Sequence, residues 1–321
     1  MGQVDLWQMA KAGHPSQGGT SGRSQPSIAI YAELSVQSLV KYPAWIDLGT
    51  YLAYKLDLTA RGQQPLRSRP VSMKPRRFFV EGEPLKPGER LVAGKRAHHL
   101  TRVLRLGVGD SVVLFDGSGR EFPAEILEVG RQRIRVKVSS GKRIDRESPL
   151  NLMLALGLSK PSIMDLIVQK VTELGVNEIV PVQTERTQGW SAGTKDLARI
   201  KRWGRIAQEA ARQSGRNVVP RIWPPTDYTS LLKQTDNKDV KLICWEGEKK
   251  ENLRQALKGK RKAHQACVLV GPEGGFSEKE AKEAASAGFQ SVSLGRRVLR
   301  TETAVIVVIG LIQYKFGDLG L

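Results

Sequence analysis

Three turn segments carry the residue types and spacings that could do chemistry in this chain. LVGPEGGFS (269–277) and SLGRRVLRTETA (293–304) each follow a C-terminal apolar run, and CWEGEK (244–249) follows an earlier one. Gly271, Gly274 and Gly275 remove side chains where the chain leaves a strand, so backbone N–H and C=O groups can approach a ligand closely. The segment has neither the Lys-Ser/Thr of a Walker A loop nor the GxGxxG spacing of a dinucleotide turn. A nucleoside triphosphate or an ordinary dinucleotide is therefore a poor fit. A neutral or cationic ligand held by backbone groups fits better, and an adenosine bearing a sulfonium is of that kind.

The elements that must position these turns alternate from residue 150 onward. LNLMLALGL reads as a strand, and IMDLIVQKVTELGV as a helix with Ile163, Leu166, Ile167, Val171 and Leu174 on its apolar face. EIVPVQT is a strand, LARIKRWGRIAQEAARQSG a helix ended by Gly215, VKLICWEG a strand and ENLRQALKG a helix. ACVLVGPEGG is a strand running into a turn, and in SEKEAKEAASAG the spacing of Ser277 and Glu280 is that of a capping box. SVSLG is the last strand, and LRTETAVIVVIGLIQYKF a nearly all-apolar closing helix. Such alternation predicts a mostly parallel sheet covered on both faces, which binds ligands at the carboxyl ends of its strands.

Ahead of it, from 76 to about 145, the signals are β: RRFFV, RLVAG, DSVVLFDG, EFPAEILEV and RIRVKV, separated by Gly-containing turns and interrupted by one short helix, AHHLTRVLRL. Short strands at close spacing predict a small barrel, and RIDRESP reads as the connector between domains. Residues 1–72 differ from the rest: two linker-like stretches flank an apolar run without a clean period, and the segment is expected to be an extension, poorly ordered or without function.

The 51 Lys and Arg against 32 Asp and Glu give a net charge of +19. Residues 1–72 hold seven basic and four acidic residues, so +16 of it belongs to 73–321. A field of that sign attracts polyanions. Cys244 and Cys267 sit in apolar strand-like runs without a CxxC, which predicts buried thiols. With only His14, His98, His99 and His264 besides, no zinc spacing can be assembled, and no metal is expected. No apolar stretch of about 18 residues and no signal-peptide pattern stand out, so the expected location is the cytoplasm.

The ordered set HHLTRVLRLGVGDSVVLFDGSG, MDLIVQKVTELGVNEIVPV, EAARQSGRNVVP, LVGPEGGFSEKE and SLGRRVLRTETA resembles the SPOUT methyltransferase superfamily, and most closely its RsmE-type 16S rRNA uridine N3-methyltransferases. The resemblance spans nearly all of residues 74–318. It implies a PUA-like β-barrel for RNA docking (73–146) and a trefoil-knotted α/β parallel-sheet domain (147–321). It also implies a homodimer, S-adenosyl-L-methionine as donor and the small ribosomal subunit or its 16S rRNA as partner. By that likeness the donor lies among Leu269, Val270, Gly271, Gly274, Gly275, Leu294, Gly295, Leu299, Arg300 and Thr301.

Uridine N3 is a poor nucleophile until its proton leaves, so the site must position two partners and stabilise an anion. Arg300, in the turn before the closing helix, is the first choice for the cation and Arg216 the second. Glu302 is the carboxylate that could accept the proton, although a first helical turn favours an acidic residue for its dipole alone. Arg76, Arg77, Lys95, Arg96, His98, His99, Arg102 and Arg105 cluster in the first half of the barrel as candidate phosphate contacts, against the plainer reading of a solvated charged face. The basic helix bearing Arg199, Lys201, Arg202 and Arg205 also faces RNA or solvent, with Trp203 expected in packing. Two other readings stay open: a non-catalytic RNA-binding dimer, and a SPOUT enzyme acting on another RNA or on a ribose hydroxyl.

Overall fold

The computed structural model describes residues 76–93, 106–130, 133–187 and 194–320. The expectations for residues 1–72, and for the helix over 97–106 apart from its last residue, lie outside these.

Six strands form the first layer: β1 (Arg77–Phe79), β2 (Gly88–Ala93), β3 (Ser111–Phe115), β4 (Arg120–Val129), β5 (Arg133–Val138) and β6 (Lys142–Arg143). They pair in the order β1-β3-β4-β5-β2, with β6 on β4. Alternation along β5 shows why. Ile134, Val136 and Val138 are buried while Arg133, Arg135 and Lys137 face solvent, which suits a sheet closed around one apolar interior. Phe78, Leu114, Phe122 and Ile126 fill that interior.

The second layer begins at β7 (Asn151–Gly157) and continues through α1 (Pro161–Glu173), β8 (Glu178–Gln183), α2 (Thr194–Ser214), β9 (Arg221–Ile222), β10 (Thr226–Asp227), α3 (Tyr228–Lys233), β11 (Val240–Cys244), α4 (Leu253–Ala256), β12 (Gln265–Val270), α5 (Glu278–Ser286), β13 (Gln290–Val292) and α6 (Thr301–Phe316). The sheet runs β10-β8-β7-β12-β11-β13 with β9 on β8, and every pairing is parallel. Leu152, Leu154, Leu156, Val268 and Val270 point to one face, where α1, α2 and α6 cover them. Met153, Ala155, Cys267 and Leu269 point to the other, under α3 and α5. Burial on both faces explains the near-continuous apolar run of β7.

Some local expectations are corrected. The buried face of α1 is Met164, Ile167, Val168 and Val171, while Leu166 is 40% exposed; its helix is packed by α2 and α6 over a stripe turned away from that residue. The strands β6, β9 and β10 and the helix α3 carry too few residues to show a period. Trp203 is buried in the core, as a packing role requires. Among the described residues, no helix is long and apolar enough to cross a membrane.

Candidate functional site

Four neighbouring strands end at one level: the register aligns Leu156 with Val270, Val270 with Cys244, and Cys244 with Val292. The segments that leave these strands enclose a cavity of about 570 Å³, a size suited to a small-molecule ligand. Its walls are Val270–Gly271–Pro272–Glu273 with Gly275 and Phe276, the whole of Val292–Glu302, Cys244–Glu246 with Glu248, and Lys160 and Ile163 from the start of α1.

Close backbone approach shapes the first wall. A Cβ on Gly157 would lie 2.4 Å from Pro272, and one on Gly271 3.1 Å from the Gly275 backbone. The turn Pro272–Gly275 is closed by Gly275 N–H donating to Pro272 O at 2.9 Å, with Gly275 at φ +69°, a conformation that favours glycine. Arg186 Nη1 donates to Gly274 O at 2.8 Å, and Glu273 Oε1 accepts from Lys160 N–H at 3.1 Å at the start of α1. Behind it, the Ser277–Glu280 capping box forms as the spacing predicts, and Glu280 also accepts from Glu185 N–H at 2.9 Å. The turn is thus tied on both sides before any ligand arrives.

The second wall runs into α6. Arg300 is the N-cap residue, its carbonyl accepting from Ala304 N–H at 2.8 Å, while its side chain makes no capping bond. Arg296, Arg297 and Arg300 are exposed and have no partner among the described residues. Thr301 is buried and Glu302 half-buried in the first helical turn. On the third wall, backbone N–H groups of Lys250 and Glu251 hold the Glu248 carboxylate below its ordinary pKa. Cys244 is a free thiol that burial pushes up to about 12. A thiol so protonated is no nucleophile near neutrality.

Of the residues expected around the donor, Val270, Gly271, Gly275, Leu294, Gly295, Leu299, Arg300 and Thr301 line the cavity, as does Glu302. Leu269 does not, because strand alternation turns it into the opposite core beside Phe276 and Phe289. Gly274 does not either; it faces the Arg186 side chain. Arg216, expected as a second catalytic cation, lies outside the lining and is 4% exposed. Its guanidinium is held by Glu147, Thr172 O and Val176 O. Arg77, expected on phosphate, is likewise turned inward to Glu121, Arg216 O and Asn217, and burial lowers its pKa from the ordinary guanidinium value. Arg76 is half-buried at the start of β1. Lys95, Arg96, His98, His99, Arg102 and Arg105 lie outside the described residues. Sequence reasoning did not single out Lys160, Trp245, Glu246, Glu248, Glu273, Arg296 or Arg297, although all but Lys160 fall inside the three turns it began from.

The cradle fits an adenosine-type donor. Val270, Leu294 and Leu299 offer an apolar bed, glycine backbone offers donors and acceptors, and Glu246, Glu248 and Glu302 offer negative charge for a sulfonium.

Comparison with known proteins points the same way. A family profile described as an RNA methyltransferase domain matches residues 146–313, and one described as an RNA methyltransferase PUA domain matches residues 92–139. Ribosomal RNA small subunit methyltransferase E of Bacillus subtilis is 30% identical over 70% of this chain and 89% of its own length. The protein of the same name from Buchnera aphidicola is 32% identical over 71% and 88%. Among solved structures, ribosomal RNA small subunit methyltransferase E of Neisseria gonorrhoeae, bound to S-adenosyl methionine, matches with TM-score 0.68 and 32% identity over 76% of this chain and 99% of that one. A Legionella pneumophila protein solved with the cofactor SAM bound matches with TM-score 0.72 and 32% identity over 77% and 100%.

Proposed function

Because this chain belongs to the ribosomal RNA small subunit methyltransferase E family, we propose that it transfers a methyl group from S-adenosylmethionine to N3 of a uridine in 16S rRNA. The observation that carries this reading is the cavity at the ends of four adjacent strands, with Arg300 exposed and without a partner among the described residues on the wall that becomes α6.

The donor, when bound, supplies an electrophilic methyl group on sulfur. The chain's own residues do the rest. Val270, Gly271, Gly275, Leu294, Gly295, Leu299 and Thr301 hold the adenosine part through backbone groups and apolar contact. Glu302, half-buried on the cavity wall in the first turn of α6, takes the proton from uridine N3. Arg300 opposes the negative charge then spread over the uracil ring, which is the larger electrostatic task. Holding base and donor in line removes much of the remaining barrier.

The barrel, residues 73–146, docks RNA through Arg76 and the cations of 95–105, and residues 147–321 carry the chemistry. The chain works as a homodimer in the cytoplasm, where small subunits are its partners. What favours pairing is an apolar stripe left exposed on α6 by Val307, Leu311 and Tyr314, one helical turn apart, a pattern that marks an interaction surface.

Calorimetric titration with S-adenosylhomocysteine tests the reading. The full chain should bind one equivalent per protomer, and Gly271→Val should bind none, because its side chain would press on the Gly275 backbone. A flat trace for the unaltered chain would favour a non-catalytic RNA-binding protein instead.

A further inference from the structure

The barrel meets the parallel-sheet domain where β1 approaches α2, and the connector between Arg143 and Asn151 runs along that seam. None of it lines the cavity, and methyl transfer as argued above uses none of it. Its arginines are nevertheless committed to partners from both sides. Arg77 of β1 pairs with Glu121 of β4 and reaches across to Arg216 O at 2.8 Å and Asn217 Oδ1 at 2.7 Å. Arg146 of the connector donates to the same Glu121 oxygen at 2.7 Å and to Gly215 O at 3.1 Å. Its neighbour Glu147 accepts from Arg216 Nε at 2.9 Å and from the N–H groups of Asn217 and Val218, each at 3.1 Å. The next residue, Ser148, donates to Gln313 Oε1 at 2.7 Å, and Gln313 belongs to α6, the helix that Arg300 caps. Farther along the seam, Gln208 of α2 donates to Glu81 of the barrel at 2.6 Å.

A single connector between two domains is ordinarily a hinge, and relative motion is the default. Here three consecutive connector residues are tied down, and the Arg77 and Glu121 side chains are only 12% and 15% exposed. A guanidinium fork fixes direction as well as distance: the Arg77 fork spans Glu121 and the Arg216–Asn217 segment, and Arg146 Nη1 bridges the same Glu121 oxygen to Gly215 O, which leaves the barrel little freedom to turn.

We propose that Glu121, with Arg77 and Arg146, locks the barrel in one orientation to the methyl-transfer cavity, so that RNA held by the barrel presents its base at Arg300. These are positioning residues: they touch no substrate and act by removing orientational freedom before RNA arrives. The function rests on the rRNA-methylating reading, whereas the lock itself does not.

The test separates the two. Paired spin labels on Ser118→Cys in the barrel and Ser286→Cys in the second domain report the inter-domain distance; Cys267 is buried, and a control without the two new cysteines subtracts any label on the half-buried Cys244. The labelled chain, diluted into unlabelled protein so that each dimer carries one labelled protomer, should give one narrow distribution, and adding Glu121→Gln should broaden it. In methylation of small subunits lacking the modification, Glu121→Gln should raise KM about tenfold, with kcat and S-adenosylhomocysteine affinity within about twofold. Removing a carboxylate from so basic a chain would by charge alone strengthen RNA binding, so a raised KM is a sign that simple electrostatics does not give. Arg146→Ala, at a position 45% exposed, serves if Glu121→Gln does not fold, and should broaden the distribution less. A distribution as narrow as the unaltered chain's, or an unchanged or lower KM, would overturn the lock. So would a parallel loss of S-adenosylhomocysteine affinity, which marks general damage. An unaltered chain that methylates nothing would sink the rRNA reading and leave the distance measurement to judge the lock alone.

Discussion

Two groups of arginines sit in this chain, and they differ in what they hold. At the seam, Arg77, Arg146 and Arg216 face carboxylates and carbonyls of the chain itself. At the cavity, Arg296, Arg297 and Arg300 stand exposed, without partners among the described residues. The residue type is the same, and the environment decides the role. A guanidinium turned onto the chain's own carboxylates and carbonyls is a structural fastener. An exposed one beside a cavity keeps its charge available for an anion, whether a uracil ring or a phosphate.

The contrast can be broken first at the seam. Arg216→Ala leaves Glu147 facing its peptide N–H groups without a cation and takes the guanidinium donor from Thr172 O and Val176 O. Urea unfolding should show a loss of about 3 kcal/mol, the size expected when one member of a buried pair is removed. Arg300→Ala should do the reverse. Stability and S-adenosylhomocysteine affinity should hold while turnover falls about 100-fold, as for a single lost anion-stabilising group. Parallel losses in donor affinity would make Arg300 a donor-binding residue only.

Much of this was legible in the sequence, for physical reasons. Strand and helix alternation in the second domain shows because both faces of its sheet are covered, which writes long apolar runs into β7 and β12. The cavity turns show because glycines cluster where strands end. The seam does not show. Arg77 meets Glu121 across 44 positions and Arg216 O across 139, so no local pattern distinguishes a paired arginine from a solvated one. Leu269 and Val270 differ only in parity, which is settled once the strand register is known. Glu273 at the start of α1, 113 residues from Lys160, is equally silent in sequence.

A smaller effect sharpens the cavity side. Replacing Arg296 and Arg297 together with Ala should leave donor affinity unchanged. It should lower the logarithmic salt slope of RNA binding by about one to two, the share of two phosphate contacts. An unchanged slope would mean that the two side chains face solvent.

The smallest effect concerns the thiols. Burial raises both Cys244 and Cys267 to about 12 from an ordinary 9.0. Folded and unfolded chains both keep these protons below the ordinary value, so the thiols' contribution is fully present there. Above it the unfolded chain ionises first, and stability should fall progressively as pH rises toward 12. Unfolding of Cys267→Ala against the unaltered chain between pH 8 and 10 should show a weaker pH dependence for the variant.

The central claim is that this cavity methylates a uridine at N3 in 16S rRNA. Purified chain, labelled S-adenosylmethionine and small subunits lacking the modification, followed by nucleoside mass spectrometry, test it directly. The label should appear in N3-methyluridine, and about 100-fold more slowly with Arg300→Ala. Label in a ribose-methylated nucleoside, or none in the RNA at all, would contradict it.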